Sequence, residues 1–263
     1  MGWDISYHPI AEEQMKAWYF DVLEGKTPVT TLASQHGIED FYQQKYIDTI
    51  NVALETAADD IFEKTHGYYI AVIQGFFGKY FYVRGGALSF AETNLLQKYF
   101  KPWEAIIPEN RFTQKIHNHI VENYSSGVYI PKEKVAQLLN DYKNDAEVKA
   151  TLDELFSHKR IAVFLKALAY ADEKGLGLLE ATEVVEPNPL DLNSSACYSN
   201  LFNCDPEGAH LYQETAMAQF AEIEQKEGLA EGTIMNNAEH VVNHIQPVTP
   251  KEEKGFWKKL FGK

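Results

Sequence analysis

The histidines are the residues of this chain whose spacing comes closest to a metal site. His240 and His244 are four residues apart, so on a helix they share one face, where both rings could bind zinc. The zinc-protease pattern needs a glutamate directly after the first histidine, and Val241 occupies that position. His117 and His119 are two residues apart, which on a helix turns their rings about 200° away from each other. We therefore predict no metal site and no cofactor.

Motifs for nucleophilic catalysis and phosphate binding are missing from the sequence. Cys197 and Cys204 lie in no catalytic signature, and two cysteines are too few for a disulfide scaffold. The glycine spacings of nucleotide-binding loops do not occur. Carboxylates are numerous, but a charge-rich chain exposes them on solvated helix faces in any case. The sequence favours a binding protein over an enzyme, and a metal-assisted hydrolase that uses His240 and His244 is the alternative.

Charge is divided unevenly along the chain. The net charge is −14, from 24 Lys and Arg against 38 Asp and Glu. Residues 246–263 hold five lysines and two glutamates, so residues 1–245 carry 19 basic and 36 acidic side chains, a net charge of −17. Such a body repels nucleic-acid phosphates and attracts basic proteins. The sequence therefore predicts a basic protein partner and no nucleic acid. The N-terminal residues MGWDISYHPI lack a signal-peptide pattern, which predicts a cytoplasmic location.

Residues 246–263 read as a linker followed by a basic, aromatic tail. On a helix, four apolar residues would share one face with lysines around it: Phe256, Trp257, Leu260 and Phe261. Such a segment can dock on the body of the protein, bind a partner or touch a membrane. The membrane alternative would make the protein a peripheral scaffold tethered by its tail.

Helical spacing of apolar residues dominates residues 1–245 and predicts a mainly α fold. We expect one domain of mostly antiparallel helices, interrupted by a long irregular loop near 187–206. Residues 68–83 also suit a hairpin, because they are rich in aromatic and β-branched types, but their 3.6-residue spacing favours a buried helix. The predicted helices cover 9–25, 39–64, 68–83, 92–100, 111–123, three segments between Pro131 and Gly175, and 209–228.

A partner-binding surface is predicted where acidic groups and tyrosines fall on the clearest helices and in the loop. Carboxylates steer a basic partner during association, and buried aromatic residues slow its dissociation. The predicted surface comprises Asp141, Tyr142, Asp145, Glu147, Asp153, Glu154 and Tyr198.

Three stretches within residues 123–216 resemble uncharacterised bacterial cytoplasmic proteins of the toxin-immunity type. They are NYSSGVYIPKEKVAQLLNDY, LKALAYADEKGLGLLEATEVVEP and NCDPEGAHLYQETA. The resemblance implies an immunity protein, which neutralises a secreted antibacterial toxin by direct binding. The acidic body agrees with that class, since the implied partner is basic.

Overall fold

A five-stranded sheet forms the centre of the molecule, so the prediction of a mainly α, all-helical domain is wrong. The computed structural model describes residues 3–108 and 112–237. The sheet order is β3-β4-β1-β2-β7, and a separate two-stranded sheet pairs β5 with β6. The strands are β1 (Asp4–Ile10), β2 (Tyr80–Arg84), β3 (Ser126–Ile130), β4 (Gly177–Thr182), β5 (Val185–Glu186), β6 (Ala196–Cys197) and β7 (Cys204–Asp205).

The central strand β1 pairs antiparallel with β2 on one side and β4 on the other, so that Tyr7 lies opposite Phe81 and Glu180. β3 is antiparallel to β4, and β7 adds a short parallel edge beside β2. Nearly every residue of β1 and β4 is buried, because helices cover both faces of the sheet. Strands of this kind lack the alternation of polar and apolar residues by which a half-exposed strand is recognised.

One helical layer covers the sheet face formed by Ile10, Tyr129 and Leu179. A π-helical segment, Lys16–Phe20, joins its first two helices into one rod. The layer comprises α1 (Glu12–Met15), α2 (Asp21–Leu23), α3 (Val29–His36), α4 (Asp40–Glu55) and α5 (His66–Phe77).

A second layer covers the opposite face, where Ile5, Tyr7 and Phe81 meet apolar residues of three helices. These helices, predicted from the sequence, are confirmed: α6 (Lys132–Asn144), α7 (Ala146–Leu155) and α8 (Arg160–Lys174). Their ends follow local signals, since Asp145 caps α7 by accepting from two backbone N–H groups and Gly175 ends α8 with a left-handed φ of 65°.

Helix α9 (Pro206–Glu227) lies along β2, followed by the short α10 (Thr233–Asn237). The two backbones approach closely at Gly208, where an added Cβ would lie 1.8 Å from the carbonyl oxygen of Tyr82. The segment 187–206 is irregular, as predicted, with 3-10 turns and two-residue strands. It holds β6 and β7, and β7 links α9 to the sheet.

Several predicted helices are shorter or of another kind. The helix predicted over 68–83 ends at Phe77, and the aromatic residues that follow form β2. The helix predicted over 39–64 ends at Glu55, and its buried residues are Tyr46, Ile50 and Ala53. Asn94–Tyr99 is a 3-10 helix, and no helix occurs in 112–123. The first predicted helix begins only at Glu12, because β1 precedes it.

Among the described residues, no helix combines the length and the apolar character that crossing a membrane would require.

Candidate functional site

A serine, a histidine and a glutamine form a hydrogen-bonded line between β1 and α5. The Gln74 amide donates to the carbonyl oxygens of Pro9 (3.2 Å) and Lys79 (3.1 Å), so its Oε1 atom faces His8. His8 Nδ1 therefore donates to that Oε1 at 2.8 Å, and its unprotonated Nε2 accepts from Ser6 Oγ at 2.8 Å. In serine hydrolases a serine, a histidine and an Asp or Glu stand in this order and activate the serine, whereas here the neutral Gln74 occupies the position of the acid.

Burial excludes catalysis at this line. Ser6, His8 and Gln74 are at most 2% exposed, so a substrate cannot reach the serine hydroxyl. His8 also stacks on Tyr80 with ring centroids 5.0 Å apart. Burial lowers the pKa of His8 to about 4, although the hydrogen bond to Gln74 raises it. The line is a fully satisfied polar network that fixes β1 against α5 with His8 neutral.

Glu180 is a second buried group with a pKa that resembles that of a catalytic acid. Burial raises its pKa to about 7, although hydrogen bonds from its donors lower it. The carboxylate accepts from the N–H of Leu88, from Ser89 Oγ at 2.5 Å and from the Tyr7 hydroxyl at 3.2 Å. Because Glu180 is fully buried, we assign it to holding the turn at Leu88–Phe90 against the sheet.

The described histidines do not form a metal centre. No group of three or more His, Cys, Asp and Glu side chains within 3–108 and 112–237 is arranged to hold an ion. His117 and His119 have ring centroids 5.6 Å apart, but His119 Nδ1 lies 2.9 Å from the carbonyl oxygen of His117. The other predicted pair, His240 and His244, lies outside the described residues, as do Phe256, Trp257, Leu260 and Phe261 of the tail.

The predicted acidic surface on α6 and α7 is largely committed to bonds within the protein. Asp141 accepts from the Tyr99 hydroxyl at 2.6 Å, and Asp153 accepts from the Tyr142 hydroxyl at 2.8 Å. Asp145 caps α7. Two further acids are exposed and make no side-chain hydrogen bond to a described residue: Glu147 and Glu154.

Tyr198 lies away from those acids, on the other side of the sheet. It packs against the core cluster that includes α4 and α5, whereas Tyr142 and the α6 and α7 core residues belong to the opposite cluster. The structure therefore does not bring the seven predicted partner-binding residues into one surface.

Tyr198 instead lines a groove between α4 and α5, which we call the aromatic groove. Its volume is about 210 Å³. The Tyr198 ring contacts Tyr68 and Tyr124 edge to face, with ring centroids 6.4 Å and 5.6 Å away. The groove is lined by Asp48, Thr49, Val52, Tyr68, Tyr69, Val72 and Tyr198.

The loop that carries Tyr198 is tied to both helices of the groove. Ser199 Oγ donates to the Val72 carbonyl of α5 at 2.6 Å, and Lys45 Nζ of α4 donates to the Cys197 carbonyl at 3.0 Å. These bonds fix the tyrosine as a wall of the groove before any partner arrives, which lowers the entropy cost of binding. Phe202, four residues further along the loop, is 89% exposed.

The region of helix α4 is more acidic than the predicted surface on α6 and α7. Residues 39–60 hold six acidic side chains and one lysine, a net charge of −5, and all six acids are exposed. Residues 132–155, which span α6 and α7, hold six acidic and four basic side chains, a net charge of −2. Phe41 and Val52 of α4 are 65% and 44% exposed. The aromatic groove thus combines apolar contact area with uncompensated negative charge.

Sequence reasoning found Tyr198 but missed Asp48, Val52 and Tyr69. Within the helix predicted over 39–64, Leu54 is exposed and Ala53 is buried. The signal available in the sequence was the excess of acidic over basic residues, which is larger in 39–60 than on α6 and α7.

A comparison with known protein families, with curated proteins and with solved structures found no match to this chain.

Proposed function

We propose that this protein is a non-enzymatic, cytoplasmic binding protein, and most concretely an immunity-type inhibitor that neutralises a basic antibacterial toxin by direct contact. The observation that carries the proposal is the position of the aromatic groove beside the exposed acids of α4. Interfaces between proteins have an aromatic or apolar centre and a polar rim, and the groove with its surrounding carboxylates has that composition.

The two parts of the surface would act at different stages of binding. The negative field of residues 39–60 would speed the approach of a basic protein and would be weakened by salt. Tyr198 and the exposed Phe202 would then bury apolar area in the complex, which mainly slows dissociation. The buried polar groups support a binding role over an enzymatic one, because Ser6, His8 and Glu180 are inaccessible to a substrate.

Co-expression with the product of the adjacent gene tests the proposal. We expect the neighbouring protein to arrest growth when it is expressed alone. Co-expression of the wild-type protein should restore growth, and the two proteins should co-purify. Asp48→Lys should weaken protection, because it places a positive charge in the groove wall. Glu147→Lys is the matched control, since it changes the net charge equally on the opposite helical layer.

Phe202→Ala provides a second test that leaves the core intact, because this side chain is almost fully exposed. Loss of protection with an unchanged melting temperature is the expected result. A neighbour that is harmless alone, or that forms no complex at low salt, would refute the immunity function.

A further inference from the structure

A second cavity lies on the far side of the molecule from the aromatic groove, between β2, α8 and α9. Its volume is about 440 Å³, within the range of small-molecule sites. The floor is formed by Tyr82 and Val83 of β2, and the walls by Val163 of α8 and Leu211 of α9. Close approach of α9 at Gly208 brings these walls together. The cavity is therefore built mainly by the packing of β2, α8 and α9, and the turn before α8 adds His158.

The charge of this cavity is opposite to that of the protein. Arg84, Arg160 and His158 line it, and none of its described lining residues is Asp or Glu. The whole chain has a net charge of −14, so a cavity lined by arginines and by no described carboxylate differs in sign of charge from the protein as a whole. An anion inside it would be attracted by nearby guanidinium groups in a partly desolvated space.

Arg84 is already neutralised and serves as a wall. Its guanidinium pairs with Asp4 at 2.5 Å and lies over the Tyr212 ring, with 4.6 Å from Cζ to the ring centroid. Asp4 also accepts from the Tyr82 hydroxyl at 2.6 Å. These contacts fix the positions of Arg84, Tyr82 and Tyr212 without adding net charge.

Arg160 carries the charge that remains uncompensated. Its Nε donates to the Ser157 carbonyl at 2.6 Å, Nη2 donates to Ser157 Oγ at 2.8 Å, and Nη1 donates to the Arg84 carbonyl. A guanidinium has five N–H groups, so one on each terminal nitrogen is left without a described protein acceptor. Arg160 makes no ion pair with a described carboxylate. Burial lowers its pKa, and no described neighbouring carboxylate offsets this effect. Arg160 is held in place by three hydrogen bonds and keeps two N–H donors for a carboxylate.

Arg160 also borders a more open cleft that contains Glu92 and Glu154. Those carboxylates repel an anion, so the cavity between β2 and α9 is the better site. On this geometry we propose that the cavity binds a small organic carboxylate with an apolar chain, whose head group meets Arg160 and whose chain lies against Val163, Leu211 and Tyr212.

Isothermal titration calorimetry of the full-length protein with octanoate tests this assignment. We expect one saturable site, and about tenfold weaker binding of 1-octanol, which has the same chain but no charge. Inorganic phosphate, which has charge but no chain, should also bind at least about tenfold more weakly. Arg160→Met should reduce the affinity for octanoate by about tenfold or more.

Because Arg160 also ties Ser157 to β2, a second variant keeps the test independent of folding. Thr215→Trp places a large side chain in the cavity from the exposed face of α9 and should abolish octanoate binding. Ala218→Trp makes the same kind of change on α9 outside the cavity lining and should leave binding unchanged. The proposal is overturned if octanoate does not saturate below about 1 mM, if phosphate or octanol binds equally well, or if Thr215→Trp binds octanoate like the wild type.

Discussion

Acidification should destabilise this protein through His8, which is buried between β1 and α5. His8 is fully buried between Ser6 and Gln74, and burial lowers its pKa to about 4 from the ordinary value of 6.5. Between pH 6.5 and about 4, His8 is mostly protonated in the unfolded chain and mostly neutral in the folded protein. The contribution of neutral His8 is therefore fully present above pH 6.5 and is lost as the pH falls toward the folded-state pKa.

The magnitude follows from the size of the shift. Because the pKa falls from 6.5 to about 4 and a difference of one in pKa corresponds to about 1.4 kcal/mol, the full loss is about 3.5 kcal/mol, of which about 3 kcal/mol is reached at pH 4. His8→Gln is the matched variant, because glutamine offers a donor and an acceptor to the same neighbours and does not titrate. Urea denaturation of both proteins between about pH 7.5 and pH 4 measures the difference.

The advantage of the wild type over His8→Gln should shrink by about 3 kcal/mol across this range, and the His8 ring resonances should not titrate above about pH 5 in an NMR experiment. Every other titratable group is common to both proteins, so the effects of those groups cancel. A difference that stays constant to within about 0.5 kcal/mol would show that His8 is accessible to protons in the folded protein.

Two further predictions concern the centre of the sheet and its edge. The pKa of Glu180 is raised to about 7 from 4.5 by burial, so its stabilising contribution is present below pH 4.5 and is lost as the pH rises through 7. The free energy of unfolding of the wild type should therefore fall by about 3 kcal/mol relative to Glu180→Gln over that range, as urea denaturation would detect; a constant difference would contradict the raised pKa. Gly208→Ala should destabilise the protein by about 3 kcal/mol, because its Cβ would collide with the Tyr82 carbonyl, whereas Gly78→Ala meets only an ordinary contact at 3.7 Å and should have little effect on thermal unfolding. Equal melting temperatures for these two variants would contradict the close packing of α9 on β2.

The elements that the sequence predicts well are those whose signals are local. Helices α6, α7 and α8 each have an apolar stripe. Asp145 directly precedes α7 and caps its start, and Gly175 directly follows α8 and ends it. Their prediction needed no information about the rest of the chain.

The sheet could not be predicted in the same way, because its strands are defined by distant partners. β1 contains Ser6 and His8, polar residues that are buried because they bond to each other and His8 bonds to Gln74 of α5. β4 contains Glu180, whose donors Leu88, Ser89 and Tyr7 are all more than ninety residues away in the chain. A polar residue in a buried strand is recognisable only once its partner is known.

The candidate site shows the same limit. Tyr198 was predicted because an irregular loop with aromatic residues tends to be functional. Its neighbours on α4 and α5 were not, since Asp48 and Tyr69 come together with it only when the loop is tied across both helices.

The most direct test of the proposed function is the affinity of the purified neighbouring gene product for three forms of this protein. The wild type should bind with an association rate that falls as salt is added, and Asp48→Lys should weaken the complex by about tenfold or more. Glu147→Lys, with the same change in net charge, should stay within about twofold of the wild type. An absence of binding, or an equal loss in both variants, would contradict a binding surface at α4 and the aromatic groove.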